Sequence, residues 1–243
     1  MNHKLVFASL FASASLIAGA ANARPMTPED VANLESVGTI AVSPDGRRIA
    51  YTTASLPDVT SGEANGTTQQ QLKLATGPDM ARTFLPDDVS VGGIEFSPDG
   101  RMISFLWTKD GEKRAVWGIP VDGGAQRKLA EVDGVGVSSY AWSPDGSMIH
   151  MLTAAAEDTE RASQNKAGFN AIVYEEEARL NRLFSARVGE EIDENPRAVT
   201  IPGYVSAFKV APDGRTAIVD SAPTPNVDDS YTSKRVYVID LAS

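Results

Sequence analysis

The residues that could do chemistry are few, and their spacing excludes more than it supports. Beyond the first 23 residues His150 is the single histidine, and a Ser-His-Asp triad needs such a group as its base. His150 follows "SPDGSMI" inside an apolar run and reads as a strand residue without catalytic duty. The nearest approach to a G-x-S-x-G nucleophile elbow is Gly136-Val137-Ser138-Ser139-Tyr140. It lacks the closing glycine and runs into a strand, where an elbow turns into a helix. No catalytic residue is therefore expected in this chain. Cysteine is absent, which excludes a thiol nucleophile, a Cys–zinc site and a disulfide framework.

The acidic stretch "GEEIDENP" at 189–196 and the pairs Asp87-Asp88 and Asp228-Asp229 lack the D-x-[DN]-x-[DN]-G spacing of a calcium loop. They read as solvated loop acids, so neither a metal nor a cofactor is expected. Trp107, Trp117 and Trp142 lie in alternating strand patterns, and core packing is expected of them before a sugar-stacking platform. The chain carries 22 Lys and Arg against 32 Asp and Glu. So acidic a protein is a poor partner for nucleic acid or anionic lipid.

The elements that would position these residues announce themselves by repetition. "SPDGRRIA" at 43–50 returns as "SPDGRMIS" at 97–104, "SPDGSMIH" at 143–150 and "APDGRTAI" at 211–218. Pro suits the first corner of a type I turn, Asp the second, and Gly the positive φ that closes a hairpin. A Ser before the Pro can tie the turn with its hydroxyl. Alternating residues flank every copy: Ile40-Ala41-Val42, Ile94-Glu95-Phe96, Tyr140-Ala141-Trp142 and Phe208-Lys209-Val210 before it, and Ile49-Ala50-Tyr51, Ile103-Ser104-Phe105, Ile149-His150-Met151 and Ala217-Ile218-Val219 after it. The copies start 54, 46 and 68 residues apart, close to the roughly 40–50-residue period of a propeller blade. The expected fold is all-β: propeller blades built on WD40-like SPDG hairpins. Segments 113–121, 171–175, 180–188 and 234–241 would supply outer strands. Residues 154–169 read as an insertion at a blade edge, and 57–70 and 223–233 as polar connections on one face.

The amino terminus reads differently. "MNHKLVFASLFASASLIAGAANA" has one Lys, an apolar small-residue run and an Ala21-Asn22-Ala23 ending, the pattern of a cleaved secretory leader. Residues 1–23 are expected to be removed, leaving 24–243 as propeller with a net charge of −11, since Lys4 goes and no acid does. No membrane attachment is expected thereafter, and the periplasm of a Gram-negative bacterium suits an exported chain without disulfides. "MTPEDVANLES" comes next, with Thr27 as cap, Pro28 at the first helical position and Asp30 three residues on. A short helix over 27–35 is expected to pack Val31, Ala32 and Leu34 on the strands after it.

"MTPEDVANLESVGTIAVSPDGRRIAYT", the "WSPDG" repeats and the ending "VYVIDLAS" resemble the propeller of secreted serine peptidases of the prolyl oligopeptidase family, in its acylaminoacyl-peptidase and dipeptidyl-peptidase branch. The resemblance implies a hydrolase of short peptides whose triad sits in a separate α/β-hydrolase domain, expected beyond residue 243. The propeller would screen access to it. Closed propellers carry about four to eight blades and the resemblance implies seven or eight, so four copies of the turn are expected to form a partial ring with an open edge; a complete four-bladed ring is the alternative. The resemblance also touches "VYEEE" at 173–177. In the dipeptidyl-peptidase branch a Glu pair grips the substrate's amino terminus, which by position would be Glu176 and Glu177. The run also reads as an exposed hairpin tip, so substrate-binding residues stay unassigned. The rival functional reading is a stand-alone TolB-like periplasmic propeller that docks a protein or peptide.

Overall fold

The computed structural model describes residues 24–57, 62, 66, 68–85, 90–154, 159–169, 171 and 179–242. Four antiparallel meanders follow one another along the chain. The first contains β1 (Ser36–Val42), β2 (Ile49–Ser55), β3 (Gln69–Ala75) and β4 (Ala81–Leu85). The second contains β5 (Val91–Phe96), β6 (Met102–Trp107), β7 (Ala115–Pro120) and β8 (Arg127–Ala130). β9 (Val137–Trp142), β10 (Met148–Thr153), β11 (Arg182–Arg187) and β12 (Arg197–Val199) form the third, and β13 (Tyr204–Val210), β14 (Thr216–Ala222) and β15 (Arg235–Asp240) the fourth. Each sheet is one blade, and the first strands β1, β5, β9 and β13 adjoin one another in series. The sheets do not close into a ring: the array is a partial propeller of four blades.

The repeated turn joins the first two strands of every blade, and its chemistry is local. In the first copy the Ser43 hydroxyl donates to Asp45 Oδ1 at 2.6 Å, the Arg47 amide donates to the same oxygen at 3.0 Å, and Ser43 Oγ accepts the Arg48 amide at 2.9 Å. Gly46 closes the turn at φ 71°, a left-handed conformation that costs glycine nothing and other residues about 1 kcal/mol or more. Ser97 and Asp99, then Ser143 and Asp145, repeat the pattern at 2.6 Å. Ala211 has no hydroxyl. There Asp213 accepts the Arg215 and Thr216 amides, both at 2.9 Å, and the Thr216 hydroxyl at 2.8 Å. These donors hold the turn carboxyls below their usual range, Asp145 at about 2 because the Ser143 hydroxyl and the Ser147 amide and hydroxyl all point at it.

Successive blades meet face to face, and the word around the turn sets the faces. Its flanking residues alternate, so outer positions of each triplet face the preceding blade and the middle position faces the next. Ala50, Leu72 and Leu74 of the first blade pack on Ile94, Phe96, Ile103, Phe105 and Trp117 of the second. Leu106, Val116 and Leu129 then meet Tyr140, Ile149 and Met151. Leu152, Leu183 and Val199 meet Val205, Ala217 and Val219. Each seam is a separate small core, so truncating a residue such as fully buried Phe105 would cost about 3–5 kcal/mol.

Three local expectations change. The predicted helix forms over Pro28–Ala32 (α1) with the Thr27–Asp30 capping box intact, but Val31 and Leu34 stay exposed and the helix buries no residue. The blade-edge insertion joins the two middle strands β10 and β11 and contains a helix, α2 (Thr159–Lys166), polar on all sides. The polar stretch 223–233 contains α3 (Val227–Thr232). The outer strand expected at 180–188 is β11, whereas that at 171–175 lies, except for Ala171, outside the described residues, as do the leader, Glu176 and Glu177.

Candidate functional site

Strand direction sorts the connections into two ends. The SPDG turns occupy one end of the blades. The connections from second to third strand (56–68, 108–114, 154–181 and 223–234) all leave from the other, together with the links between blades. These connections therefore begin and end at the same end of their blades. No helix among the described residues is long and apolar enough to cross a membrane.

His150 lies in β10 at the middle position of its triplet, facing the fourth blade, and is almost completely buried. Its Nδ1 is 2.8 Å from the Ser185 hydroxyl across the strand pair, while Nε2 is buried without a partner. Burial, with help from the Arg197 charge, pushes its pKa below that of a free imidazole. The ring is enclosed within the fold. Ser138 sits in β9, and its hydroxyl donates to the Leu152 carbonyl at 2.8 Å. Asp193 in the acidic stretch accepts the amides of Arg187 at 2.9 Å and Asn195 at 3.1 Å, which is turn chemistry. Among the described residues no group of three or more His, Cys, Asp or Glu could hold a metal ion.

The seam between the second and third blades holds a polar cluster that the strand pattern did not reveal. Glu95, on β5, points at the third blade. Ser104 beside it accepts hydrogen bonds from the Tyr140 hydroxyl and from Trp142 Nε1, both at 2.8 Å, and donates to the Glu95 carbonyl at 3.2 Å. The Ser104 hydroxyl thus has every valence used. Desolvation raises the Glu95 carboxyl to about 7, against the lowering effect of one amide hydrogen bond from Trp142. The same burial, with the Glu95 charge, pushes the Tyr140 phenol well above its ordinary value. The signal available in the sequence was a lone acid at a position where two other copies have Ala41 and Ala141.

On the face of the long connections, a cleft of about 540 Å³ opens between the first two blades, lined by Gln70, Ser90, Gly92, Trp107, Thr108 and Arg114. Trp107 meets Trp117 edge to face, with ring centroids 5.2 Å apart, and Lys109 Nζ lies 5.3 and 5.1 Å from the two rings. Trp117 is core, as expected. Trp107 packs against the core and also walls the cleft. A guanidinium beside an aromatic wall suits a carboxylate-bearing group.

No protein-family model matches the chain. It is similar to the uncharacterized peptidase YuxL of Bacillus subtilis, 25% identical over 232 residues that cover 88% of this chain and 34% of the relative. It is also similar to dipeptidyl-peptidase 5 of Porphyromonas endodontalis, 31% identical over 128 residues, 51% of this chain and 17% of the relative. The chain thus spans about a third or less of either. Its fold is that of the acylaminoacyl peptidase of Pyrococcus horikoshii (TM-score 0.57, 13% identity, covering 85% of this chain and 31% of that one). TolB of Acinetobacter baumannii gives 0.54 at 13% identity, covering 86% and 42%. The propeller domain of the trilobed protease of Pyrococcus furiosus gives 0.51 at 14%, covering 86% and 57%. By sequence and fold together, the chain is related to the β-propeller portion of peptidases of the prolyl oligopeptidase family.

Proposed function

We propose that the chain is the non-catalytic propeller portion of an exported serine peptidase that hydrolyses short peptides, and that it screens their access to a catalytic α/β-hydrolase domain. One observation carries this division of labour. The similarity to a peptidase runs over 88% of the chain, yet the sole histidine outside residues 1–23 is sealed between blades. Catalysis then has to come from another domain, and the propeller contributes shape. Blades arranged around an axis pass extended or short chains and exclude folded ones. The Arg114 cleft, at the end of the blades away from the SPDG turns, offers contacts to a peptide's carboxylate. Export through the residue 1–23 leader and a periplasmic or secreted location belong to the same reading.

The test is a fluorophosphonate labelling of native extracts, with the product captured by an antibody against residues 24–243. A labelled species well above 25.8 kDa is the expected result. An unlabelled species slightly below that mass would overturn the reading in favour of a stand-alone propeller of the TolB kind.

A further inference from the structure

Arg114 stands in the cleft between the first two blades, and the backbone around it leaves room for its guanidinium there. β7 starts one residue later at Ala115, which is buried and pairs with Trp107 of β6. The Arg114 carbonyl accepts the Val137 amide at 2.8 Å, which ties the mouth of this strand to the third blade. A Cβ built on Gly136 would touch Arg114 Cβ at 3.6 Å. From the other side, a Cβ built on Gly92 of β5 would lie 2.9 Å from Arg114 Nη2. Gly92 has no positive φ, unlike Gly93 after it, so backbone geometry does not require a glycine at this position. The guanidinium does, because it fills the place of the missing side chain.

The other walls supply donors and an aromatic surface but no carboxylate. The Ser90 hydroxyl donates to Gln70 Oε1 at 3.3 Å, bridging the second blade to the first and leaving the Gln70 amide nitrogen as a donor. Thr108 adds a hydroxyl and Trp107 a half-buried ring. Arg114 forms no ion pair with a described residue, in a chain with 32 acids against 22 Lys and Arg. Glu112 of the same connection is spent on Lys128, at 2.8 Å. A guanidinium left unpaired beside an indole offers a planar fork of N–H donors, the geometry that a carboxylate matches with both oxygens.

We infer that this cleft receives the carboxyl terminus of a short peptide. Arg114 takes the terminal carboxylate in its fork, Gln70 and Thr108 supply further donors, and the last side chain lies on Trp107. Gly92 and Gly136 are positioning residues that act through Arg114. The inference rests on the peptidase reading for the class of ligand. Within that reading it adds a chemical criterion to exclusion by size. Every short peptide carries a carboxyl end whatever its sequence, and one arginine among neutral walls reads that shared feature. A loop of a folded protein has no such end to offer.

The test is isothermal titration of the chain with the tripeptide Ala-Ala-Phe as free acid, with its carboxyl amide, and with Ala-Glu-Phe amide, whose one carboxylate is on a side chain. The free acid should bind about tenfold or more tighter than either amide. That order runs against the chain's net charge of −10, which favours the cationic Ala-Ala-Phe amide. Arg114→Gln should bring the acid down to the level of the amide and leave the amide's own binding unchanged. Gly92→Ala should do the same in part while keeping the wild-type thermal transition, because its methyl displaces a side-chain tip and not backbone. Equal binding of acid and amide overturns the inference, as does binding of none of the three. So does Ala-Glu-Phe amide matching the free acid, or Arg114→Gln weakening acid and amide alike. Should Arg114→Gln unfold, the acid-to-amide ratio of the wild type still decides. A fluorophosphonate-labelled peptidase without this ratio removes the site and keeps the peptidase reading; the ratio without labelling keeps the site and removes that reading.

Discussion

Replacing Glu95 by Gln tests the cost of placing a carboxyl in the seam between the second and third blades. The folded state raises this group from 4.5 to about 7, so it binds a proton more tightly than the unfolded chain does. The sign follows from linkage: the folded state is penalised wherever the unfolded carboxyl is ionised. The penalty is absent below pH 4.5, grows as pH rises towards 7 and is complete above it. A tenfold difference in proton affinity between the two states corresponds to about 1.4 kcal/mol, so the full penalty is at most about 3 kcal/mol. Gln keeps the shape and can still accept the Trp142 amide, but carries no charge. The variant and the wild type should therefore have similar stability at pH 4.5, and Gln should be more stable by about 2–3 kcal/mol at pH 8, roughly 4–12 °C in melting temperature for a domain this size. Urea unfolding followed by tryptophan fluorescence from pH 4.5 to 8 measures the difference directly. Parallel curves for the two proteins would refute the account, because they would mean that water reaches the carboxyl and the seam is not dry.

Three further substitutions probe other links. Ser104→Ala removes the shared acceptor of Tyr140 Oη and Trp142 Nε1; two buried or half-buried donors left unpaired should cost about 2–4 kcal/mol in urea, with Tyr140→Phe costing less in that background than alone. Gly203→Ala should be the most damaging small change, because φ is +77° and the new Cβ would lie 2.3 Å from the Ala222 carbonyl oxygen. A loss of about 3 kcal/mol or more in unfolding free energy is expected, and a tolerated alanine would refute that packing. His150→Asn removes a group whose folded pKa is depressed by burial, so its contribution is present above the unfolded value near 6.5 and lost as pH falls below it. The wild type should lose stability relative to Asn on acidification, measured by thermal melts between pH 7 and 4.5.

How much of this was legible in the sequence varied with the range of the interactions involved. The SPDG turns were readable because their whole logic lies within about six residues: Ser43, Asp45 and Gly46 satisfy one another and need no distant partner. Four copies then imposed four sheets. Trp117 was readable as core because its strand alternates cleanly. Glu95 was not, since its environment is made by Tyr140 and Trp142 of the next blade, and period-two patterning says only which side of the strand it takes. The two polar helices failed for the opposite reason. α2 has no buried residue, so no apolar stripe marked it, and in α3 Asn226 begins the helix without a side-chain cap bond. The exposure of Val31 and Leu34 was equally hidden, because a local apolar face does not reveal whether anything lies opposite it.

The middle position of each triplet is where the repeat departs from itself. The turn and the outer positions are bound by backbone geometry and by the preceding blade's core. The residue facing forward answers only to the next blade: Ala41 and Ala50 in the first, Glu95 and Ser104 in the second, Ala141 and His150 in the third, Lys209 and Ile218 in the fourth. The ionisable groups enclosed there, half-buried Glu95 and buried His150, occupy successive seams and respond oppositely to pH. Glu95 penalises the folded state as pH rises from 4.5 to about 7, whereas His150 penalises it as pH falls below 6.5. Over that interval one penalty replaces the other, so they exchange and do not accumulate. The pH slopes from these two groups should therefore partly offset each other in the wild-type chain, with the Glu95→Gln and His150→Asn differences from it running in opposite directions. Additivity is expected in the double variant because the two groups lie in different seams with no shared partner. Slopes that fail to add would mean the blades transmit strain from seam to seam.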